Sequence, residues 1–139
     1  MQKVKTMSNC IEIKDKEQKK ALNAWASAGY NGSVVAGTGF GKSRVGVLAI
    51  GKILKINETQ RGIVLVPTVQ LQDQFEEEFH KWGYADVLDR VDIVCYQSAR
   101  KLNNQHYGVV VADEIHLGLS KEYSKFFEAN TYDRLLCMT

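Results

Sequence analysis

Two short polar strings, each at the end of an apolar run, constrain the fold of this chain more than any other feature. Ala36-Gly-Thr-Gly-Phe-Gly-Lys-Ser43 ends the run that begins at Ser33, and Asp113-Glu-Ile-His116 follows the run Val109–Ala112. Charged side chains at the end of a buried strand cost free energy unless a partner or a ligand satisfies them. We therefore expect a fold in which buried strands end at a polar site.

The rest of the chain alternates between strand patterns and helix patterns. The predicted strands are Ser33–Ala36, Gly62–Val66, Val91–Tyr96, Tyr107–Ala112 and Arg134–Met138. Helical periodicity is found over Gln18–Trp25, Lys42–Ile53, Leu71–Trp82 and Tyr123–Ala129. Strands that are apolar without alternation are typical of a parallel sheet covered on both faces. The sequence thus predicts an α/β three-layer domain with a mostly parallel central sheet, whose ligands sit beyond the carboxyl ends of the strands.

Local patterns make two further structural predictions. Gly29 and the pair Asn31-Gly32 should end the first helix, because these residue types favour turns. The helix over Leu71–Trp82 is amphipathic, and Glu76–Glu78 should face water. The apolar positions predicted to lie in the core are Leu71, Phe75, Phe79 and Trp82.

Length and composition limit the class of protein. The chain has 139 residues, enough for one domain with its own core, and its 45% hydrophobic and 24% charged residues are typical of a globular protein. A net charge of +2 permits a nucleic-acid partner without requiring one. The cysteines Cys10, Cys95 and Cys137 lack metal-ligand spacing, so we expect reduced thiols and no structural metal. An apolar leader and a membrane-length run are both missing from the sequence, so we expect no membrane partner and a cytoplasmic location.

The first string has the pattern of a phosphate-binding loop, with Ala36 in place of the leading glycine. Glycines at alternate positions let successive backbone N–H groups point inward at a triphosphate, and the following helix adds its positive end. Lys42 would neutralise β/γ-phosphate charge, and the Ser43 hydroxyl would bind Mg²⁺. Phe40 either covers the nucleotide or lies on the surface. The predicted nucleotide-binding residues of this loop are Gly37, Thr38, Gly39, Phe40, Gly41, Lys42, Ser43 and Arg44.

The second string supplies the carboxylates that ATP hydrolysis needs. Asp113 would hold Mg²⁺, directly or through water, and Glu114 would orient and polarise the attacking water. Together with Lys42, they are the predicted catalytic residues. The cofactors expected from the two strings are ATP and Mg²⁺.

These strings, with several shorter segments, resemble the motifs of superfamily 2 helicases and translocases of the DExH type. The first string resembles motif I and the second resembles motif II. Val64–Leu71 followed by Gln74 resembles motif Ia, Ile93–Ser98 resembles motif Ib, and Leu135–Thr139 resembles the start of motif III. The resemblance implies that residues 14–139 are the first RecA-like motor domain, after a lead-in of residues 1–13.

The resemblance also implies roles for individual residues. Gln18 would hydrogen-bond adenine, while His116 and Thr139 would couple the ATP site to a second motor domain. The residues that would contact the nucleic-acid backbone are Pro67, Thr68, Gln97 and Ser98. Thr68 also has a physical reason for this role, since free N–H groups at a helix start suit a phosphate.

The second motor domain is expected to be missing from this chain, because the sequence ends inside the segment that resembles motif III. The domain is therefore expected to be incomplete at its carboxyl end, and the isolated chain nearly inactive. DNA is favoured over RNA as a partner, because Asp113–His116 and the Gln18 region resemble phage-type and restriction-enzyme-type motors. Two alternatives stay open: a DNA-packaging terminase-type ATPase, and a truncated nucleotide-binding module without turnover.

Overall fold

The computed structural model describes residues 22–34, 42–113 and 120–138, which form alternating strands and helices. The strands are β1 (Asn31–Val34), β2 (Gly62–Val66), β3 (Val91–Cys95), β4 (His106–Tyr107), β5 (Val109–Asp113), β6 (Thr131–Tyr132) and β7 (Leu135–Met138). The helices are α1 (residues 22–27), α2 (Lys42–Ile56), α3 (Val69–Lys81), α4 (Tyr96–Ala99) and α5 (Ser120–Ala129), with a 3₁₀ helix over Ala85–Arg90.

A central sheet carries the fold. It has five strands in the order β1-β7-β5-β2-β3, and each adjacent pair is parallel. Strands β4 and β6 form a separate two-stranded parallel ribbon. Chain order reverses within the central sheet, which is where open α/β sheets form a ligand crevice at their carboxyl edge. The predicted α/β class with a mostly parallel sheet is confirmed.

Both faces of the sheet are buried, which explains why its strands lack alternation. In β2, Val64 and Val66 belong to a core cluster with α2 and α3, while Ile63 and Leu65 belong to a second cluster with α4 and α5. Strand β5 divides its valines between the two clusters in the same way. Successive side chains point to opposite faces, so a strand covered on both sides must be apolar throughout.

Helix α3 follows its sequence pattern closely. The Oγ1 of Thr68 accepts a hydrogen bond from the backbone N–H of Leu71 at 3.2 Å, which makes Thr68 the N-cap. Phe75 and Phe79 are buried as predicted, whereas Leu71 and Trp82 are only partly buried and pack against the edge of the core. The cap fixes where the helix begins, just beyond the end of β2.

Helix α2 lies close to the sheet because a glycine faces it. A Cβ added at Gly46 would meet side-chain atoms of Val111, Met138 and Phe75 at 3.1–3.2 Å. A larger residue here would require these side chains or the helix to shift by a few tenths of an ångström. The first turn of α2, which begins at Lys42, is therefore held near the carboxyl ends of these strands.

The turn before β1 differs from the prediction. Gly29 and Tyr30 have φ angles of 77° and 61° and reverse the chain after α1. Asn31 and Gly32 do not form the turn but begin β1, pairing with Leu135 and Leu136 of β7. The prediction for this pair was wrong because the ladder with β7 outweighs the turn preference of the two residues. The observed strand ends at Val34, and residues 35–36 of the predicted strand lie outside the described residues.

The predicted strand Tyr107–Ala112 is divided in two. Tyr107 belongs to β4 in the small ribbon, and the central sheet begins again only at Val109. Gly108 separates the two strands, and its N–H donates to the carbonyl oxygen of Arg61 rather than to a strand ladder. Strand β6 and the short helices after β3 and α3 lacked a sequence signal long enough to predict them.

Among the residues that the structure describes, none of the helices has the length and apolar character required to cross a membrane.

Candidate active site

The ends of β1 and β5 come together through the register of the sheet. Val34 at the end of β1 pairs with Met138 of β7, and Met138 pairs with Asp113 of β5. The three residues form one row at the carboxyl edge, with β7 between the other two strands. Adjacent strands lie about 4.8 Å apart, so the backbone at Val34 and at Asp113 is separated by about 10 Å. The last described residue of β1 and the carboxylate that ends β5 thus lie at the same edge of the sheet.

Several predicted site residues lie outside the described residues. These are Gln18, Gly37, Thr38, Gly39, Phe40, Gly41, Glu114, His116 and Thr139. Lys42 is within the described backbone and is the first residue of α2. Ser43 and Arg44 follow it in the first turn. The first turn of a helix carries N–H groups without intrahelical partners, which suits a phosphate.

Asp113 is the last residue of β5 and is only 1% exposed. Its backbone carbonyl accepts a hydrogen bond from the hydroxyl of Tyr96, a buried residue that begins α4. This bond ties the end of β5 to the segment after β3, across the intervening strand β2. Asp113 thus places a buried carboxyl group at the carboxyl edge of the sheet.

Ser43 makes a contact that the sequence did not predict. Its Oγ donates a hydrogen bond to Oε1 of Glu78 at 3.0 Å, and Oε2 of Glu78 accepts from Nε1 of Trp82 at 2.8 Å. Glu78 is half-buried, so the prediction that it faces water was wrong. The separation of four positions between Glu78 and Trp82 is a helix-face spacing that could have indicated this pair.

Beyond β2 and β3, the sheet edge carries the residues predicted to contact nucleic acid. Val66 and Cys95 pair at the ends of these neighbouring strands, so the segments that follow them start side by side. Thr68, Gln97 and Ser98 are exposed, whereas Pro67 is half-buried. The four residues thus follow the carboxyl ends of two neighbouring strands, and Thr68 among them is the N-cap of α3.

Cys95 lies at the end of β3, and its thiol donates to Oε1 of Gln72 on α3 at 3.3 Å. Burial raises the pKa of the Cys95 thiol above its ordinary value, so the thiol is protonated at neutral pH. Cys137 is buried in the sheet core, and Cys10 lies outside the described residues. The two described cysteines therefore fit the prediction of reduced thiols.

The donor chemistry of the described residues fits Mg²⁺. Serine hydroxyl and carboxylate oxygens are the hard ligands that Mg²⁺ prefers, and Mg²⁺ is commonly bound by one or two protein oxygens together with substrate phosphates. Ser43 in the first turn of α2 and Asp113 at the end of β5 supply such oxygens at the carboxyl edge of the sheet.

The model of the DEAD/DEAH box helicase family matches residues 15–103, which is more than half of the chain. The chain belongs to the DEAD/DEAH box helicase family. Domains of this family typically use ATP with Mg²⁺ and bind nucleic acid. The matched residues include the phosphate loop and the four predicted nucleic-acid contacts and end before Asp113.

A solved structure supports the family's fold. The chain is similar to the Hef helicase domain of Pyrococcus furiosus, with a TM-score of 0.53 and 16% identity over 90% of this chain. It spans 29% of the length of that chain. No curated protein matches the sequence. The resemblance to a superfamily 2 RecA-like domain is thereby confirmed, and the chain is a helicase motor domain of this family.

Proposed function

We propose that this chain is the first motor domain of an ATP-driven helicase or translocase that acts on DNA. The observation that supports the proposal most is the row Val34–Met138–Asp113, because it aligns the end of the loop-bearing strand with a buried carboxylate. The family match supports ATP and nucleic acid as the ligand classes. The domain is proposed to extend over residues 14–139.

In this proposal each residue near the phosphates has one task. The backbone N–H groups of Gly37–Gly41 and the start of α2 hold the phosphates, and Lys42 neutralises their charge. Ser43 and Asp113 hold Mg²⁺, which supplies charge stabilisation at the transferring phosphoryl group. Arg44 and Phe40 complete the walls of the nucleotide site, and Gln18 recognises adenine.

The proposed reaction is hydrolysis of the terminal phosphoanhydride bond. Glu114 orients a water molecule and accepts a proton as the water oxygen bonds to the γ-phosphorus. The bond between that phosphorus and the bridging oxygen breaks, so the products are ADP and inorganic phosphate. His116 and Thr139 follow β5 and β7, and we propose that they couple hydrolysis at the ATP site to a second motor domain.

A second RecA-like domain is part of the proposal. In related phosphoryl-transfer enzymes an arginine supplied from outside the phosphate loop contributes about 10³–10⁵ in rate. We therefore expect the isolated chain to bind ATP and Mg²⁺ weakly and to hydrolyse ATP very slowly. Rapid turnover by the isolated chain that Glu114→Gln abolishes would contradict this expectation.

We propose that nucleic acid binds along the edge beyond β2 and β3. Free N–H groups at the start of α3 can donate to a backbone phosphate, and the exposed side chains of Gln97 and Ser98 lie after the neighbouring strand. Contacts of this kind position the nucleic acid without recognising its base sequence.

Thr68→Asp separates the capping role of Thr68 from its proposed role in binding. Aspartate caps a helix as well as threonine does, so the free energy of unfolding should change by less than about 1 kcal/mol. Its negative charge would repel a backbone phosphate, so we expect single-stranded DNA affinity to fall about tenfold or more in a fluorescence anisotropy titration. Thr68→Ser is the matched control and should keep both properties. Unchanged affinity in Thr68→Asp would exclude the start of α3 from the interface.

The experiment that tests the proposed function measures ATP hydrolysis by the full-length protein with single-stranded DNA, with RNA of the same sequence and without nucleic acid. We expect stimulation by both polymers, with DNA more effective. Greater stimulation by RNA would overturn the preference for DNA. Hydrolysis that neither polymer changes would overturn the motor function and favour a packaging-type ATPase, while no hydrolysis at all would favour a nucleotide-binding module without turnover.

A further inference from the structure

The hydrogen bond from Ser43 commits the only proton of its hydroxyl group. A serine hydroxyl has one proton to donate and two lone pairs that can accept or bind a cation. Because the proton points at Oε1 of Glu78 at 3.0 Å, the oxygen can offer only lone pairs to a third group. A divalent cation binds through such a lone pair. The contact therefore leaves the lone pairs of the Ser43 hydroxyl available to a metal ion.

Glu78 is itself held in place. Its second oxygen, Oε2, accepts from Nε1 of Trp82 at 2.8 Å, and the guanidinium carbon of Arg44 lies 4.1 Å from the centre of the Trp82 ring. Hydrogen bonds to an ionised carboxylate are stronger than those between neutral groups. With both oxygens engaged and the side chain half-buried, the Glu78 carboxylate is a fixed acceptor rather than a mobile surface charge.

The contact joins two helices. Ser43 lies in the first turn of α2, and Glu78 lies in the last turn of α3. Both line a cavity of about 610 Å³, together with Gln74, Glu77, His80 and Lys81. The adjacent Glu77 lines the same cavity but is exposed, so it is a natural comparison for the effect of charge alone.

We propose that Glu78 is a positioning residue for the magnesium ligand Ser43. The inference rests on the proposed function, since it requires Mg²⁺ at Ser43. Hydrogen-bond partners that orient a metal ligand commonly change metal affinity about 10–100-fold when removed. Glu78 thereby raises the affinity for the magnesium–nucleotide complex without contacting the nucleotide.

The test measures how much Mg²⁺ is needed for half-maximal binding of a fluorescent ADP analogue to the chain. We expect Glu78→Ala to raise this concentration about tenfold. Glu77→Ala removes the same charge from the same cavity and should change the concentration little, because an exposed charge is screened by salt. The far-ultraviolet circular dichroism spectrum should be the same for all three proteins, which would show that the variants remain folded.

A double-mutant cycle shows whether Glu78 acts through Ser43. Adding Glu78→Ala to Ser43→Ala should have no further effect on the Mg²⁺ requirement if the hydroxyl is the intermediary. Additive effects would reveal a general charge effect and overturn the inference, as would a Glu78→Ala variant that needs the same or less Mg²⁺ than wild type. If Glu78→Ala does not fold, Trp82→Phe removes one hydrogen bond to Glu78 and should give a smaller rise in the same direction.

The failure of the inference is distinguishable from the failure of the proposed function. A wild-type chain that binds the analogue equally well with Mg²⁺ and with EDTA would contradict the magnesium site itself, and the proposed function with it. A wild-type chain with clear Mg²⁺ dependence and an unaffected Glu78→Ala variant would contradict only the role of Glu78.

Discussion

Replacing Asp113 with asparagine is expected to lower the rate of ATP hydrolysis by the full-length protein about 100-fold or more. Asparagine has the shape of aspartate but lacks the negative charge that holds a divalent cation. Asp113 is 1% exposed at the end of β5, so water cannot readily replace the lost ligand. Steady-state hydrolysis at saturating ATP and Mg²⁺ measures the effect.

Asp92→Asn is the matched control for this prediction. Asp92 lies on β3, is partly exposed and pairs with Arg61 at 2.7 Å, far along the strand from the carboxyl edge. An exposed ion pair contributes about 0–1 kcal/mol, so this variant should stay folded and keep its hydrolysis rate. Hydrolysis by Asp113→Asn within about threefold of wild type would show that Asp113 is not a metal ligand.

The second large effect is on stability. Phe79 is fully buried in the core cluster between α2, α3 and the sheet. Phe79→Ala should lower the free energy of unfolding by about 3–5 kcal/mol, because it removes apolar burial and leaves a cavity. Urea unfolding followed by tryptophan fluorescence measures the change.

Val69→Ala provides the comparison on the same helix. Val69 is 66% exposed at the start of α3, so its truncation should change stability by no more than about 0.5 kcal/mol. A loss below about 1 kcal/mol in Phe79→Ala would mean that the ring is not packed in the core as described.

The apolar pattern was sufficient to predict the central sheet because burial on both faces leaves an unambiguous signature. The uninterrupted runs in β2 and β5 indicated a covered parallel sheet, and the spacing of Phe75 and Phe79 indicated the buried face of α3. The convergence of the ends of β1 and β5 followed from the general rule for such sheets. The row through Met138, however, depends on which strands are neighbours, and local sequence does not determine that order.

Features that depend on tertiary contacts were beyond prediction from the sequence. The residue types of Asn31 and Gly32 predict a turn, but their pairing with β7 makes them the first residues of β1. Glu78 was predicted to face water, because its partner Ser43 lies on another helix and is distant in the sequence. The hydrogen bond from Tyr96 to the carbonyl of Asp113 likewise joins segments separated by the intervening strand. In each case the deciding interaction is long-range, whereas periodicity reports only local neighbours.

The most direct test of the central claim is a calorimetric titration of the chain with ATP, with and without Mg²⁺, in wild type and Lys42→Ala. The proposed site predicts weak binding that requires Mg²⁺ and that Lys42→Ala abolishes, because the lysine would neutralise phosphate charge at the start of α2. ATP binding of equal affinity in Lys42→Ala, or binding indifferent to Mg²⁺, would contradict a nucleotide site at the carboxyl edge of β1 and β5.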